Sequence, residues 1–274
     1  MTKPRRTVLT TGANSGIGLA SVIEVARRGY RSVGSVRSQE KAEAVRSQAR
    51  EAGVEVETVL LDIADAEAAS RVVEEVRPEA LVNNAGYMSY RAFEDTDESE
   101  ARDLLEVLLV APLRLVRLAL PHMRAAGWGR VVNVSSISGS IRFPMMGWYQ
   151  GAKSALEAVS DALRMELASD GIAVVVVQPG SFKSGVIDDI QRDTEKFKDS
   201  RYAPSYQRML EALNSSERFW GNPERVAKVI ANALDARSPD PHYVVGADAW
   251  LNRLTMPVTP TRVRDFMLRR MLRL

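Results

Sequence analysis

The chain has 274 residues, 45% hydrophobic and 26% charged, with no cysteine and a formal net charge of +2. Such a length and balance suit one globular α/β domain, and with no thiol and only His122 and His242 as imidazoles, disulfides are excluded and a zinc site is disfavoured. The near-neutral charge and 6% aromatic content give no footing for nucleic-acid binding, and the start lacks the long apolar run of a secretion signal, so a cytoplasmic protein is expected.

In chain order, short apolar runs alternate with helical patterns. This predicts a doubly wound parallel sheet of about seven strands with helices on both faces. A strand at residues 7–11 leads into Thr11-Gly12-Ala13-Asn14-Ser15-Gly16-Ile17-Gly18 and a helix over 17–28. A glycine-rich turn between a strand and a helix N-terminus is an anion site: Gly12, Gly16 and Gly18 clear side chains from the path of a pyrophosphate, and the helix end offers free N–H groups. A strand at 32–36 follows and runs into Arg37, then a helix over 39–52 and a strand at 56–61 that ends at Asp62 and Ile63. Next come a helix at 66–76, a strand at 80–83 closed by Asn84-Ala85-Gly86, and one long helix over 99–125.

The strand at 130–135 delivers Ser136 to a sheet end, where open α/β folds place their ligands. Tyr149 and Lys153 open the next helix, expected over 149–169, and their spacing of four puts them on one face. A free phenol titrates near ~10, and a neighbouring ammonium is expected to lower that value until Tyr149 serves as a general acid–base. Val174-Val175-Val176-Val177 lies in a strand at 172–178 that is buried on both faces. After Pro179 and Gly180 the texture changes: residues 185–221 mix charge with Tyr202, Tyr206, Phe219 and Trp220. A helix over 223–236, a strand at 243–245 and a basic amphipathic tail over 261–274 complete the chain.

These motifs together resemble the short-chain dehydrogenase/reductase family. The likeness rests on the glycine loop, Asp62, Asn83-Asn84-Ala85-Gly86, the Ser136, Tyr149 and Lys153 set, and Pro179-Gly180. Ser35-Val36-Arg37, Pro112-Leu113 and Leu120-Pro121-His122-Met123 point to its hydroxysteroid and retinol dehydrogenase-like branch. The resemblance implies a single Rossmann-type domain over 1–274 and a nicotinamide cofactor. It places Asp62, with Ile63 beside it, at the adenine, Asn84, Ala85 and Gly86 along the ribose, and Pro179, Gly180 and Ser184 at the nicotinamide. Asp65 competes with Asp62 for the alternative role of helix cap.

NAD-preferring relatives carry an Asp at the end of the second strand. Here Val36 and Arg37 remove that carboxylate and supply a guanidinium for a 2′-phosphate, so NADP(H) is expected over NAD(H). In relatives the stretch at 185–221 covers the substrate; it reads here as a lid, or as a surface excursion packed on a neighbour. With the apolar run from Ile137 to Trp148 and Phe182, it suits a lipophilic ketone or alcohol. A homodimer or homotetramer is implied. The tail fits an anionic membrane surface, or packing on its own domain or a partner subunit. One departure stands out: Leu108 replaces the family Asn of a proton relay, four residues before Pro112. Pro112 has no N–H, so the Leu108 carbonyl stays free to take part through water. The competing reading is a nucleotide-binding sensor or scaffold with weak or lost catalysis.

Overall fold

Seven strands alternate with helices in the computed structural model, which describes residues 5–183, 186–256 and 258–274. The strands are β1 (Thr7–Thr10), β2 (Arg31–Val36), β3 (Glu57–Leu60), β4 (Ala80–Asn83), β5 (Gly129–Val134), β6 (Ile172–Pro179) and β7 (His242–Val245). All pair in parallel, in the order β3-β2-β1-β4-β5-β6-β7. The order reverses between β1 and β4, and a crevice opens there above the strand ends. Every strand expected from sequence forms, with ends shifted by about a residue; in the central strands β1, β4, β5 and β6 the apolar runs are buried on both sides and admit little else.

Helices α1 (Gly16–Arg27), α2 (Gln39–Glu51), α3 (Ala66–Val76), α4 (Glu98–Leu105), α5 (Ala111–Ala125) and α6 (Gly147–Glu166) lie between the first six strands. After β6 come α7 (Val186–Lys196), α8 (Ala203–Ser216) and α9 (Pro223–Asp235); α10 (Ala247–Thr255) and α11 (Thr261–Leu272) follow β7. One face packs α1 and α9 on Val8, Val82, Val132, Val175 and Val177. The other packs α3 and α5 on Leu9, Leu81, Val131 and Val174. Val174 and Val175 thus face opposite layers, as an unbroken apolar strand requires.

The helix expected at 99–125 is interrupted. Residues Glu106–Val110 form a π-helical turn between α4 and α5. Its cause is local: Pro112 cannot donate to Leu108 four residues back, so the register slips and the Ala111 N–H closes on the Glu106 carbonyl.

The stretch after β6 is more ordered than its composition suggested. It forms α7 and α8, and its neck is closed by a bridge between Phe182 and Gly221, with Lys183 N–H on the Gly221 carbonyl (3.0 Å) and Gly221 N–H on that of Ser181 (2.9 Å). The tail forms α11 against α8, burying Leu272 but leaving Val263, Phe266, Met267 and Met271 exposed. Among the described residues no helix is long and apolar enough to cross a membrane.

Candidate active site

The glycine loop is held from across the crevice. Asn84 Nδ2 donates to the carbonyls of Thr11 (3.0 Å) and Gly12 (3.3 Å), while the Thr11 hydroxyl accepts the N–H groups of Asn84 and Ala85, both at 3.0 Å. Side-chain-free backbone is obligatory here. Gly12 has φ +67° and a Cβ on it would lie 2.8 Å from Ala85 Cα; one on Gly18 would lie 2.1 Å from the Gly12 carbonyl oxygen. The Asn84 amide thus fixes the glycine loop, beside the stretch Asn84-Ala85-Gly86 expected along the ribose.

The first turn of α1 stays open. Ser15 is its N-cap, yet its hydroxyl accepts no backbone N–H, whereas Ser38, Asp65 and Asp97 cap α2, α3 and α4. Among the described residues the N–H groups of Gly16, Ile17 and Gly18 have no partner and are open to an anion, beside the half-buried Asn14, whose amide donates to Ser15 Oγ at 3.4 Å. At the end of β2, Val36 is buried and Arg37 exposed with no ion pair among the described residues. Asp65, not Asp62, caps α3: its carboxylate accepts the N–H groups of Glu67 and Ala68, while that of Asp62 accepts the Ala64 N–H. Asp62 stays exposed at the crevice edge above buried Ile63. Strand end, cleared turn and open helix end together fit a dinucleotide.

Gly180 follows β6, where a Cβ would stand 2.2 Å from Asp248 Oδ1. The same carboxylate accepts the Ser181 N–H at 2.7 Å, so α10 fixes the strand end through a residue that carried no signal in the sequence. Ser184 lies outside the described residues.

On the other side of the crevice, Ser136, Tyr149 and Lys153 come together at the end of β5. Ser136 Oγ accepts the Ser138 N–H (3.1 Å), and Lys153 Nζ donates to the Val134 carbonyl (2.9 Å), 6.0 Å from the centre of the Tyr149 ring. Tyr149 and Lys153 are both buried. Burial drives the phenol's pKa up, opposed by a hydrogen bond from Ser136. It drives the Lys153 ammonium down to about 8, opposed by Glu157. This corrects the expectation of a phenol made acidic by Lys153: desolvation penalises both charges, and at Tyr149 it outweighs the lowering that the Ser136 hydrogen bond supplies. Tyr149 is held as a neutral donor beside a lysine that gives up its proton easily.

The scaffold under this pair went unnoticed in the sequence because its partners are far apart along the chain. Asn83 Nδ2 donates to Asn133 Oδ1 (2.8 Å) and the Pro112 carbonyl (3.3 Å), and Asn133 Nδ2 reaches Ser160 Oγ (2.8 Å), joining β4, β5 and α6. Glu157, one turn beyond Lys153, accepts from Ser135 (2.6 Å) and Gln178 (3.0 Å) and so pins the loop carrying Ser136 onto α6. Leu108 is buried in the π-turn, where a Cβ on Gly86 would come within 2.7 Å of its Cδ2. Its side chain fills an apolar cluster with Tyr149, Met145, Met146 and Tyr206.

Over that cluster lie α7 and α8, joined to the loop after β4 by side chains. Tyr206 Oη accepts the Ala92 N–H and donates to Asp95 Oδ2, both at 2.9 Å, and Arg91 bridges Asp193 and Glu100 at 2.8 Å each. Of the aromatic residues expected over the substrate, Tyr206 and Trp220 are buried and Phe182 packs on Gly221. Phe219 is 76% exposed and takes no part.

Comparison with known proteins agrees with this geometry. The short chain dehydrogenase family profile matches residues 6–195. An NADPH-dependent 3-dehydrocapnine reductase from Ornithobacterium rhinotracheale is 30% identical over 271 residues, 95% of each chain. Retinol dehydrogenase 7 of Mus musculus is 28% identical, over 95% of this chain and 87% of its own. Among solved structures, a short-chain dehydrogenase from Streptomyces avermitilis superposes with a TM-score of 0.79 at 30% identity, covering 100% of this chain and 99% of the other.

Proposed function

The chain belongs to the short-chain dehydrogenase/reductase family of oxidoreductases, and from that premise we propose an NADP(H)-dependent enzyme acting on a lipophilic carbonyl or alcohol. The observation that carries the reading is the convergence of Ser136, Tyr149 and Lys153 at the end of β5, across the crevice from the cleared glycine turn. A bound nicotinamide supplies the hydride. The protein's own work is to hold a carbonyl oxygen against Ser136 and to give that oxygen the Tyr149 proton. Lys153, with its pKa near 8, then returns a proton to the phenolate. Burial of both groups keeps the exchange away from bulk water, where the charges would be screened.

Val36 followed by Arg37 supports the choice of NADP(H), since a guanidinium there complements a 2′-phosphate and no carboxylate repels it. The NADPH-dependent relative agrees. The apolar cluster around Met145, Met146 and Tyr206 supports a lipophilic substrate.

Absorbance of NADPH followed across a panel of aromatic and aliphatic ketones tests the reading. We expect turnover with a kcat/KM at least about tenfold higher for NADPH than for NADH, a difference of about 1.4 kcal/mol. Tyr149→Phe is expected to lower kcat by about a hundredfold or more. Equal turnover by that variant would defeat the assignment of Tyr149, and a preference for NADH would defeat that of Arg37. Tight NADPH binding without turnover of any ketone would favour the sensor.

A further inference from the structure

A cavity of about 460 Å³ lies beyond the buried cluster, and its walls come from four separate parts of the chain. Phe93 stands in the loop after β4, Met145 in the loop after β5, Arg201 between α7 and α8, and Arg269 and Arg273 on the last turns of α11. The first three segments all follow C-terminal strand ends, the edge on which open α/β sheets bind ligands. Met145 is the partition: it borders the cavity and also packs in the buried cluster with Tyr149. Its backbone takes the left-handed region (φ 61°), and its sulfur accepts the Tyr90 hydroxyl at 3.6 Å, so its position is fixed from both ends.

The charged side chains lining this cavity are all arginines, and Leu274 stands beside them. Among the described residues Arg201 has one long ion pair, to Glu94 at 3.9 Å, and its guanidinium lies over the Tyr202 ring. Among the described residues no carboxylate lies within ion-pair distance of Arg269 or Arg273. Opposite them, Phe93 is stacked on Trp148 with ring centres 5.9 Å apart, and with Met145 it forms an apolar wall. Guanidinium forks suit the oxygens of a carboxylate, sulfonate or phosphate. An apolar wall beside them suits the alkyl chain that such a group would carry.

We propose that this cavity is the head-group end of the substrate site, and that the natural substrate is an amphipathic ketone or alcohol with an anionic end. Resting on the reductase reading above, this assigns Arg201, Arg269 and Arg273 to the anion, Phe93 and Met145 to the chain, and Tyr149 to the oxygen that is reduced. It also gives the tail helix a role in specificity, contributed from outside the segment that matches the family profile.

Two measurements on the full chain test the proposal. In the first, medium-chain oxo-carboxylates and their methyl esters are compared as substrates for the wild type and for the Arg269→Ala/Arg273→Ala double variant. The wild type should prefer the acids by about tenfold or more in kcat/KM. The double variant should lose that preference through KM, with kcat and the esters little changed, and Arg269→Lys should recover part of it. In the second, dodecanoate, dodecyl sulfate below its micelle concentration, dodecanol and inorganic phosphate are titrated while tryptophan fluorescence is read, since Trp148 lies behind Phe93. The two alkyl anions should bind in an arginine-dependent way and the alcohol and phosphate weakly. Acids and esters shifting together in the double variant would overturn the proposal, as would phosphate binding as well as dodecanoate. Arginine-dependent dodecanoate binding in a protein that reduces no ketone would uphold the cavity and sink the reductase reading instead.

Discussion

The two sides of the crevice are built in different ways. On the nucleotide side two side chains grip bare backbone: the amide of Asn84 on two carbonyls and the Thr11 hydroxyl on two N–H groups, around glycines that leave no room for a side chain. On the substrate side the chain is held by side chains reaching across long stretches of sequence, as Tyr206 does to Ala92 and Asp95 and Arg91 to Asp193. The first construction serves any dinucleotide and tolerates almost no change. The second can be rebuilt residue by residue without disturbing the sheet. A general chemistry and a variable substrate are thereby kept in separate parts of one domain.

The contrast is sharpest in what an added methyl group does. Gly18→Ala puts a carbon 2.1 Å from the Gly12 oxygen and 2.5 Å from Asn84 Nδ2, with backbone on the near side that cannot yield. We expect a loss of about 3 kcal/mol or more and no measurable NADPH binding. Gly147→Ala, at the start of α6 with nothing within 4 Å, should be neutral or stabilising by up to about 1 kcal/mol. Denaturant midpoints and NADPH titrations of the pair decide it; equal effects would erase the distinction drawn between the two sides.

A smaller effect is expected at the seam. In the folded protein Lys153 loses its proton near pH 8, and in the unfolded chain near ~10.4. Between those values the unfolded chain holds more protons, so stability should rise with pH; below about 8 the full cost of burying the ammonium is present. Over pH 8 to 10 the gain should approach about 2 kcal/mol, before ionisation of the tyrosine at position 149 in the unfolded chain begins to oppose it. Unfolding of the wild type and Lys153→Met across this range should show the rise only in the former. The same slope in both would place the lysine in a wetter setting than its burial implies.

The smallest change is expected at the latch. Tyr206→Phe removes one hydroxyl and strands the buried Ala92 N–H, at a cost of about 1–2 kcal/mol. Amide exchange should accelerate in α7 and α8 while NADPH affinity stays within about twofold. Weakened cofactor binding would show that the two sides are coupled after all.

What the sequence revealed follows the same division. The seven strands and the glycine loop were legible because their signals are local: apolar runs, a turn before a helix, a spacing of four. Helices α7 and α8 were not, since α7 is largely polar and is anchored by Arg91 and Glu100, which lie far back in the chain. Asp248 and Glu157 act on residues that sequence spacing does not connect to them, except that Glu157 stands one turn past Lys153. Pro112 was read as freeing the Leu108 carbonyl within one long helix, and the shift into a π-turn is the physical outcome that reading missed. The sign of the Tyr149 shift was misjudged because burial, which spacing cannot report, is the largest influence on the phenol.

The uncapped start of α1 has a consequence for the protein's life in a cell. A helix that leaves its leading donors to a ligand is most secure when that ligand is abundant. At a free dinucleotide concentration one hundred times its Kd, the folded state would gain about 2.7 kcal/mol. Degradation of this protein should therefore slow or quicken with the size of the nucleotide pool, so that its abundance follows the supply of reducing power.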